Sequence, residues 1–131
     1  MSSLKVDNIT GRGSTGFTGS VKSEGGNTTT DLQQGLCKAW AVIEGTGTAA
    51  FDDSFNCASL ADNGTGNYTA TYTNAFSSAN HSSTMTVKDT AISARCDGGR
   101  ATTTVNVQCL NTSFGTVDED GISLTCHGDL A

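Results

Sequence analysis

The sequence predicts an all-β chain: an antiparallel β-sandwich or meander, preceded by an extended N-terminal arm. Three observations carry that expectation. From Leu36 onward, bulky and small or polar residues alternate in short runs, the period of strands with two unlike faces. Turn signals built from Gly, Asn and Asp separate those runs at the short intervals of an antiparallel sheet. Large apolar side chains are scarce: 35% of the 131 residues are hydrophobic, 6% are aromatic, and there are 16 glycines and no proline. A domain this small buries only about two-thirds of its unfolded surface. So thin a core is expected to be shared between subunits of an oligomer.

Residues 1–34 read as the arm. Leu4, Val6 and Ile9 alternate with Lys5, Asp7 and Asn8 over one short strand. Gly13, Gly16 and Gly19 then recur every third position around Phe17. A collagen-like triple helix needs that period, but three repeats without proline read as a flexible glycine-rich connector. The polar run Val21–Thr30 has too little apolar content to fold by itself. Asp31–Gly35 is expected as one helical turn, with Asp31 at its start and Gly35 at its end. The arm is expected to become ordered on a partner or on sister chains, leaving residues 35–131 as the antiparallel β domain.

The domain is organised around Gly35–Tyr72, expected as a meander. In Cys37–Ile43, Trp40 and Val42 share one face with Lys38, and the small Cys37, Ala39 and Ala41 share the other with Ile43. The bulky face is taken as the buried one. The glycines of Glu44–Thr48 suit a hairpin or bulge and decide for strand over helix. Asp52-Asp53-Ser54 interrupts the return strand as a bulge or crossing, and Phe55–Leu60 follows it. Asp62–Asn67 is the clearest turn, its Asn-Gly and second Gly supplying the positive φ angles that tight hairpins need. Tyr68, Ala70 and Tyr72 then face away from Thr69, Thr71 and Thr73. The expected core is Trp40, Val42, Phe55, Tyr68 and Tyr72. Further strands are expected at Ser83–Lys88, with Met85 and Val87 inward, and at Ala91–Cys96. A longer one spans Thr102–Leu110, with Val105, Val107 and Cys109 on one face, and Ile122–His127 closes the sheet. Two loops intervene: Asn74–Asn80, anchored by Phe76, and the acidic Asn111–Gly121 around Phe114.

The residues exclude more chemistry than they support. The formal net charge is −6, the pI is about 4.5, and the seven Lys and Arg are scattered. No basic stripe for nucleic acid is visible. No apolar run is long enough to insert in a membrane. MSSLKVDN has no signal-peptide character, so synthesis and folding in a cytoplasm are expected. The five cysteines, an odd number with no CxxC pair, are expected as small buried groups rather than disulfides or metal ligands. Carboxylates cluster at Asp52-Asp53 and at Asp118-Glu119-Asp120. Neighbours on a strand point to opposite faces, so neither pairs two carboxyls across a substrate, as glycoside hydrolysis requires. The second cluster lacks the spacing of an EF-hand and is expected as a solvated acidic loop. No Gly-x-Ser-x-Gly elbow and no phosphate loop occur. A thiol catalyst using His81 is the remaining alternative. The chain is expected to be no enzyme and to need no cofactor.

Part of the chain resembles a known family. Lys38-Ala39-Trp40, Gly45–Thr48, Asp53–Leu60 and Asp62–Thr69 are similar to the small β domain of bacteriophage tail fibre proteins. Ser3–Ile9 resembles the short start of many fibre and virion-attached chains. The likeness covers residues 36–73 well and 3–9 weakly. The chain departs from the family pattern at Ala39, Ala41 and Cys57, and it lacks a long shaft. The resemblance implies a homotrimeric virion protein of short tail-fibre type, made in the cytoplasm of a bacterial host. It implies an arm, with Leu4, Val6, Ile9 and Phe17, that holds other virion proteins and sister chains. It further implies an outward β domain whose loops, with Asn74, Phe76, Asn80, Asn111, Phe114 and Asp118, meet a host glycan or envelope component. Capsid decoration is the alternative location, and a glycan depolymerase is the third reading.

Overall fold

The computed structural model describes residues 20–22, 29–31, 35–88 and 93–131. All ten named elements are strands. The chain divides into two compact units, Met1–Leu36 and Cys37–Ala131. In the first, β1 (Ser20–Lys22) and β2 (Thr29–Asp31) pair antiparallel, with Val21 opposite Thr30. Asp31 ends β2 and Gly35, the expected end of the helical turn, is helical, while residues 32–34 between them lie outside the described residues. Leu4, Val6, Ile9 and Phe17 lie outside the described residues.

The second unit holds two antiparallel sheets of four strands. β3 (Ala39–Glu44), β4 (Ala50–Phe55), β7 (Ser82–Thr86) and β10 (Asp120–His127) form the first, in the order β4-β3-β10-β7. β5 (Cys57–Asp62), β6 (Asn67–Tyr72), β8 (Ser93–Arg95) and β9 (Thr104–Leu110) form the second, in the order β5-β6-β9-β8. The Gly35–Tyr72 stretch is thus not one meander. It is two hairpins, one in each sheet, joined at Asn56. Asn56 takes φ +57°, a left-handed conformation that Asn tolerates better than most residues. Its amide also ties the ends of both hairpins, donating to Lys38 O at 3.0 Å and Asn74 O at 3.1 Å.

The expected punctuation is present. Gly47 closes β3–β4 with φ +67°, while Gly64 and Gly66 close β5–β6 at +109° and +65°. A bulge interrupts β4, since Val42 pairs with Asp53 and Ile43 with Phe51, leaving Asp52 extra. A second bulge falls at Gly121, φ +76°, between Asp120 and Ile122. β10, the strand expected to close the sheet, is a central strand between β3 and β7.

The inner faces of the two sheets share one core, in a sandwich arrangement. Ala39, Ala41 and Ile43 of β3 meet Ile122, Leu124 and Cys126 of β10. The second sheet adds Tyr68, Ala70 and Tyr72 of β6 with Val105, Val107 and Cys109 of β9. Met85 and Val87 pack partly against this cluster. Three expected core residues are placed otherwise. Trp40 and Val42 are half-buried on the outer face of β3, and Phe55, opposite Trp40, is 55% exposed. The reason is parity: burying Ala39, Ala41 and Ile43 sends their neighbours to the other face. The small Ala39, Ala41 and Ala70 share this core with the bulky Tyr68, Tyr72 and Phe76, the mix of small and large groups that dense packing requires.

Candidate functional site

The outer face of the second sheet is polar, and register determines what it displays. Asn67 stands opposite Gln108, and Thr69 opposite Asn106. Directly opposed side chains are close enough to bond. Thr69 Oγ1 donates to Asn106 Oδ1 at 3.0 Å and accepts from Asn63 Nδ2 at 2.8 Å. Gln108 Nε2 donates to Asn67 Oδ1 at 2.8 Å and to Asp97 Oδ2 at 2.9 Å. Gln108 Oε1 accepts from Arg95 Nε at 2.9 Å. At 8% exposed, Gln108 has all these amide groups engaged. A groove of about 350 Å³ opens among Asn63, Asn67, Tyr68, Asp97, Asn106 and Val107. The Tyr68 and Val107 side chains point into the core, so their main chain supplies the floor. Asp97 comes from the turn after β8, where Gly98 and Gly99 take φ +73° and +120°.

The acidic loop expected to meet a receptor is also tied to the neighbouring turns. Asp118 Oδ1 accepts from Gly66 N at 2.7 Å and lies 2.9 Å from Tyr68 Oη. That hydroxyl is also 2.9 Å from Gly45 O, so one hydrogen serves two acceptors. Burial, then the bond to Asp118, holds the Tyr68 phenol well above its ordinary range. Glu119 is buried, and its carbonyl accepts from Gly45 N at 2.9 Å. Asp120 bonds Lys88 Nζ at 3.1 Å, which keeps its carboxyl below the usual range. The three acidic residues therefore serve three separate contacts, with Asp118 exposed and the Asp120 side chain half-exposed, as expected of a solvated loop, and only Glu119 buried. Among the described residues, no group of three or more His, Cys, Asp and Glu is placed to hold a metal ion. Asn111 Oδ1 accepts from Ser113 N and Gly115 N at 2.9 and 3.0 Å, bracing a tip where Phe114 takes φ +60° and is 78% exposed.

The other expected recognition loop also turns partly inward. Phe76 is 1% exposed and stacks on His81, with ring centroids 4.1 Å apart. Asn74 is exposed but donates from its backbone to Asn56 Oδ1 at 2.7 Å. Asn80 is exposed and donates to Ser78 Oγ at 3.1 Å. A cysteine and a histidine do meet here, through Tyr72. Its hydroxyl is 2.9 Å from His81 Nε2 and 3.3 Å from Cys126 Sγ. His81 Nδ1 donates to Ser78 O at 3.2 Å, so in the neutral ring Nε2 is the acceptor. Burial pushes the Cys126 thiol up, whereas a nucleophilic thiol needs the opposite shift and an accessible sulfur. Cys126 is fully buried, so the chain of bonds serves the core.

In the sequence, Asn63 and Asn67 are turn residues, and Arg95, Asp97, Asn106 and Gln108 carry no sign of a site. Alternation already placed Asn106 and Gln108 opposite the Val105–Val107 face. Their partners follow from the β6–β9 register, which pairs strands far apart in sequence. No family model, curated protein or solved structure matches the chain.

Proposed function

We propose that the chain is a non-enzymatic recognition domain of a bacteriophage virion appendage, of short tail-fibre type. In this reading it forms a homotrimer, its N-terminal arm holds other virion proteins, and the second sheet's groove binds a host-surface glycan. The observation supporting the binding part is the cross-strand array Asn63–Thr69–Asn106 beside Asn67–Gln108–Asp97, on a floor of main chain. Amides and a carboxylate held rigidly by one another are suited to a hydroxyl-covered ligand, because little ordering remains to oppose binding. The virion part rests on the likeness of Lys38–Trp40, Gly45–Thr48, Asp53–Leu60 and Asp62–Thr69 to tail-fibre β domains.

Immunogold labelling of intact particles of the encoding phage tests the location. Label at the tail is expected. Label over the whole capsid would replace the fibre with a decoration protein, and unlabelled particles would end the virion reading. Adsorption of the full chain to host cells, competed by purified surface polysaccharide, tests recognition. Shortening of that polysaccharide during incubation would instead support a depolymerase.

A further inference from the structure

The hydrogen-bonding capacity left in the groove narrows its ligand, on the reading that the groove is a glycan site. We propose that it takes a neutral saccharide ring through two adjacent hydroxyls, held by the Asn106 amide, the Asn63 carbonyl and the Asp97 carboxylate.

Arg95 can only donate and Asp97, as a carboxylate, can only accept, so between them they fix which end of the Gln108 amide is which. Gln108 in turn fixes Asn67, whose Oδ1 accepts from it and whose Nδ2 donates to Thr65 O at 2.8 Å. These residues form the frame. On the other side, Asn63 spends its Nδ2 and Asn106 its Oδ1 on Thr69. Asn106 Nδ2 and Asn63 Oδ1 make no further side-chain bond among the described residues. Asp97 uses Oδ2 on Gln108, with Oδ1 3.7 Å from Arg95 Nη2, and a carboxylate has lone pairs beyond those two contacts.

The groove therefore offers an NH₂ donor between two acceptors. A hydroxyl accepts and donates through a single oxygen. Two adjacent hydroxyls can accept from Asn106 while donating to Asp97 and Asn63. A peptide would want apolar lining for its side chains, and this groove offers amides, a carboxylate and main chain. An acidic sugar would bring its charge against Asp97, in a chain of net charge −6. The volume, about 350 Å³, is at the small end for ligand sites and suits one or two rings. A Cβ at Gly98, next to Asp97, would come 3.4 Å from Asn106 Nδ2, the donor the ligand needs.

The test is a titration of the isotope-labelled full chain, followed through the side-chain amide signals of Asn63 and Asn106. The probes are the methyl glycosides of glucose, galactose and mannose, a 2,3-di-O-methylated hexoside, and methyl glucuronide. At least one neutral hexoside is expected to bind with Kd on the order of 1 mM, a value suited to so few atoms. Methylation should weaken it more than tenfold, and so should Asn106→Ala or the nearly isosteric Asp97→Asn. Backbone amide spectra of both variants establish that they are folded. Tighter binding of the glucuronide overturns the proposal, as does the absence of any neutral-sugar shift at 100 mM (roughly a hundred times that Kd). Host-cell adsorption separates the two readings. If Asn106→Ala abolishes adsorption and the acidic probe binds best, only the neutral-diol inference fails. If Asn106→Ala adsorbs normally, the groove is not the glycan site and both fail.

Discussion

Asn56 shows how much one residue decides. It sits where the chain leaves the first sheet for the second, at φ +57°. Its Oδ1 accepts from the Asn74 backbone at 2.7 Å and the Asn74 amide at 3.1 Å, while its Nδ2 reaches Lys38 O and Asn74 O. Alanine loses these bonds and adds the cost of a left-handed backbone, about 1–2 kcal/mol. Glycine loses the bonds but adopts that backbone freely. Asn56→Ala is therefore expected to lower unfolding free energy by about 2–4 kcal/mol, and Asn56→Gly by clearly less. Equilibrium urea unfolding measures both. Equal losses would show that the side-chain bonds alone matter at this corner. Asp52-Asp53-Ser54 reads in sequence as a bulge or a crossing, because both interrupt alternation; it is a bulge, at Asp52, and the crossing follows at Asn56. What distinguishes them is the tie to Lys38 and Asn74, which only the fold brings near.

At the scale of elements, the 111–119 loop is positioned by a glycine in another turn. A Cβ at Gly66 would fall 2.6 Å from Val117 N and O and 2.9 Å from Cys109 O, all main-chain atoms, with Val117 N and Cys109 O bonded to each other. Gly47 has a nearly identical φ, +67° against +65°, with nothing near its missing Cβ. The pair separates backbone strain from crowding. Gly47→Ala is expected to cost about 1 kcal/mol, and Gly66→Ala about 1–3 kcal/mol more. Thermal or urea unfolding would measure this, and equal costs would mean the loop yields freely. Asp118→Ala should also loosen the loop, seen as faster exchange of the Gly66 amide hydrogen. The strands themselves were largely legible, because Val105-Asn106-Val107 and Ile122-Ser123-Leu124 alternate without ambiguity. Which face of β3 is buried was not. Size points to Trp40 and Val42, but the core already takes Tyr68, Tyr72 and Phe76, and the small Ala39 and Ala41 share it with them. The groove was hidden for a related reason. Asn67 and Gln108 are ordinary polar residues until register sets them side by side.

For the whole molecule, two expectations remain distinct. The homotrimer predicts a sedimenting mass near three times 13.4 kDa, and a monomer would remove that part of the proposal. The outer face of the first sheet, with Phe55 and Trp40 paired and Val42 beside them, is where Phe55→Ser would test whether association uses it. The second expectation concerns pH, and it follows from the thiols. Burial is the largest cause that pushes Cys57 and Cys109 from 9.0 up to about 11, with nearby thiols adding for Cys57 and Glu119 and Asp118 for Cys109. The buried phenols of Tyr68 and Tyr72 are shifted in the same direction. An unfolded thiol ionises near 9.0, while the folded one keeps its proton to about 11. Below pH 9.0 both states bind the proton, and the stability that folding gains from these neutral groups is fully present. Between those values the unfolded state has released protons that the folded state still holds, so stability falls as pH rises. The melting temperature is thus expected to be level in this respect up to about pH 9 and to decline toward 11. Replacing Cys57 and Cys109 together by alanine should lower stability at pH 7 and make the alkaline decline shallower, with the tyrosines maintaining the remainder. A decline as steep as in the parent would assign the alkaline sensitivity to the phenols and not to the thiols.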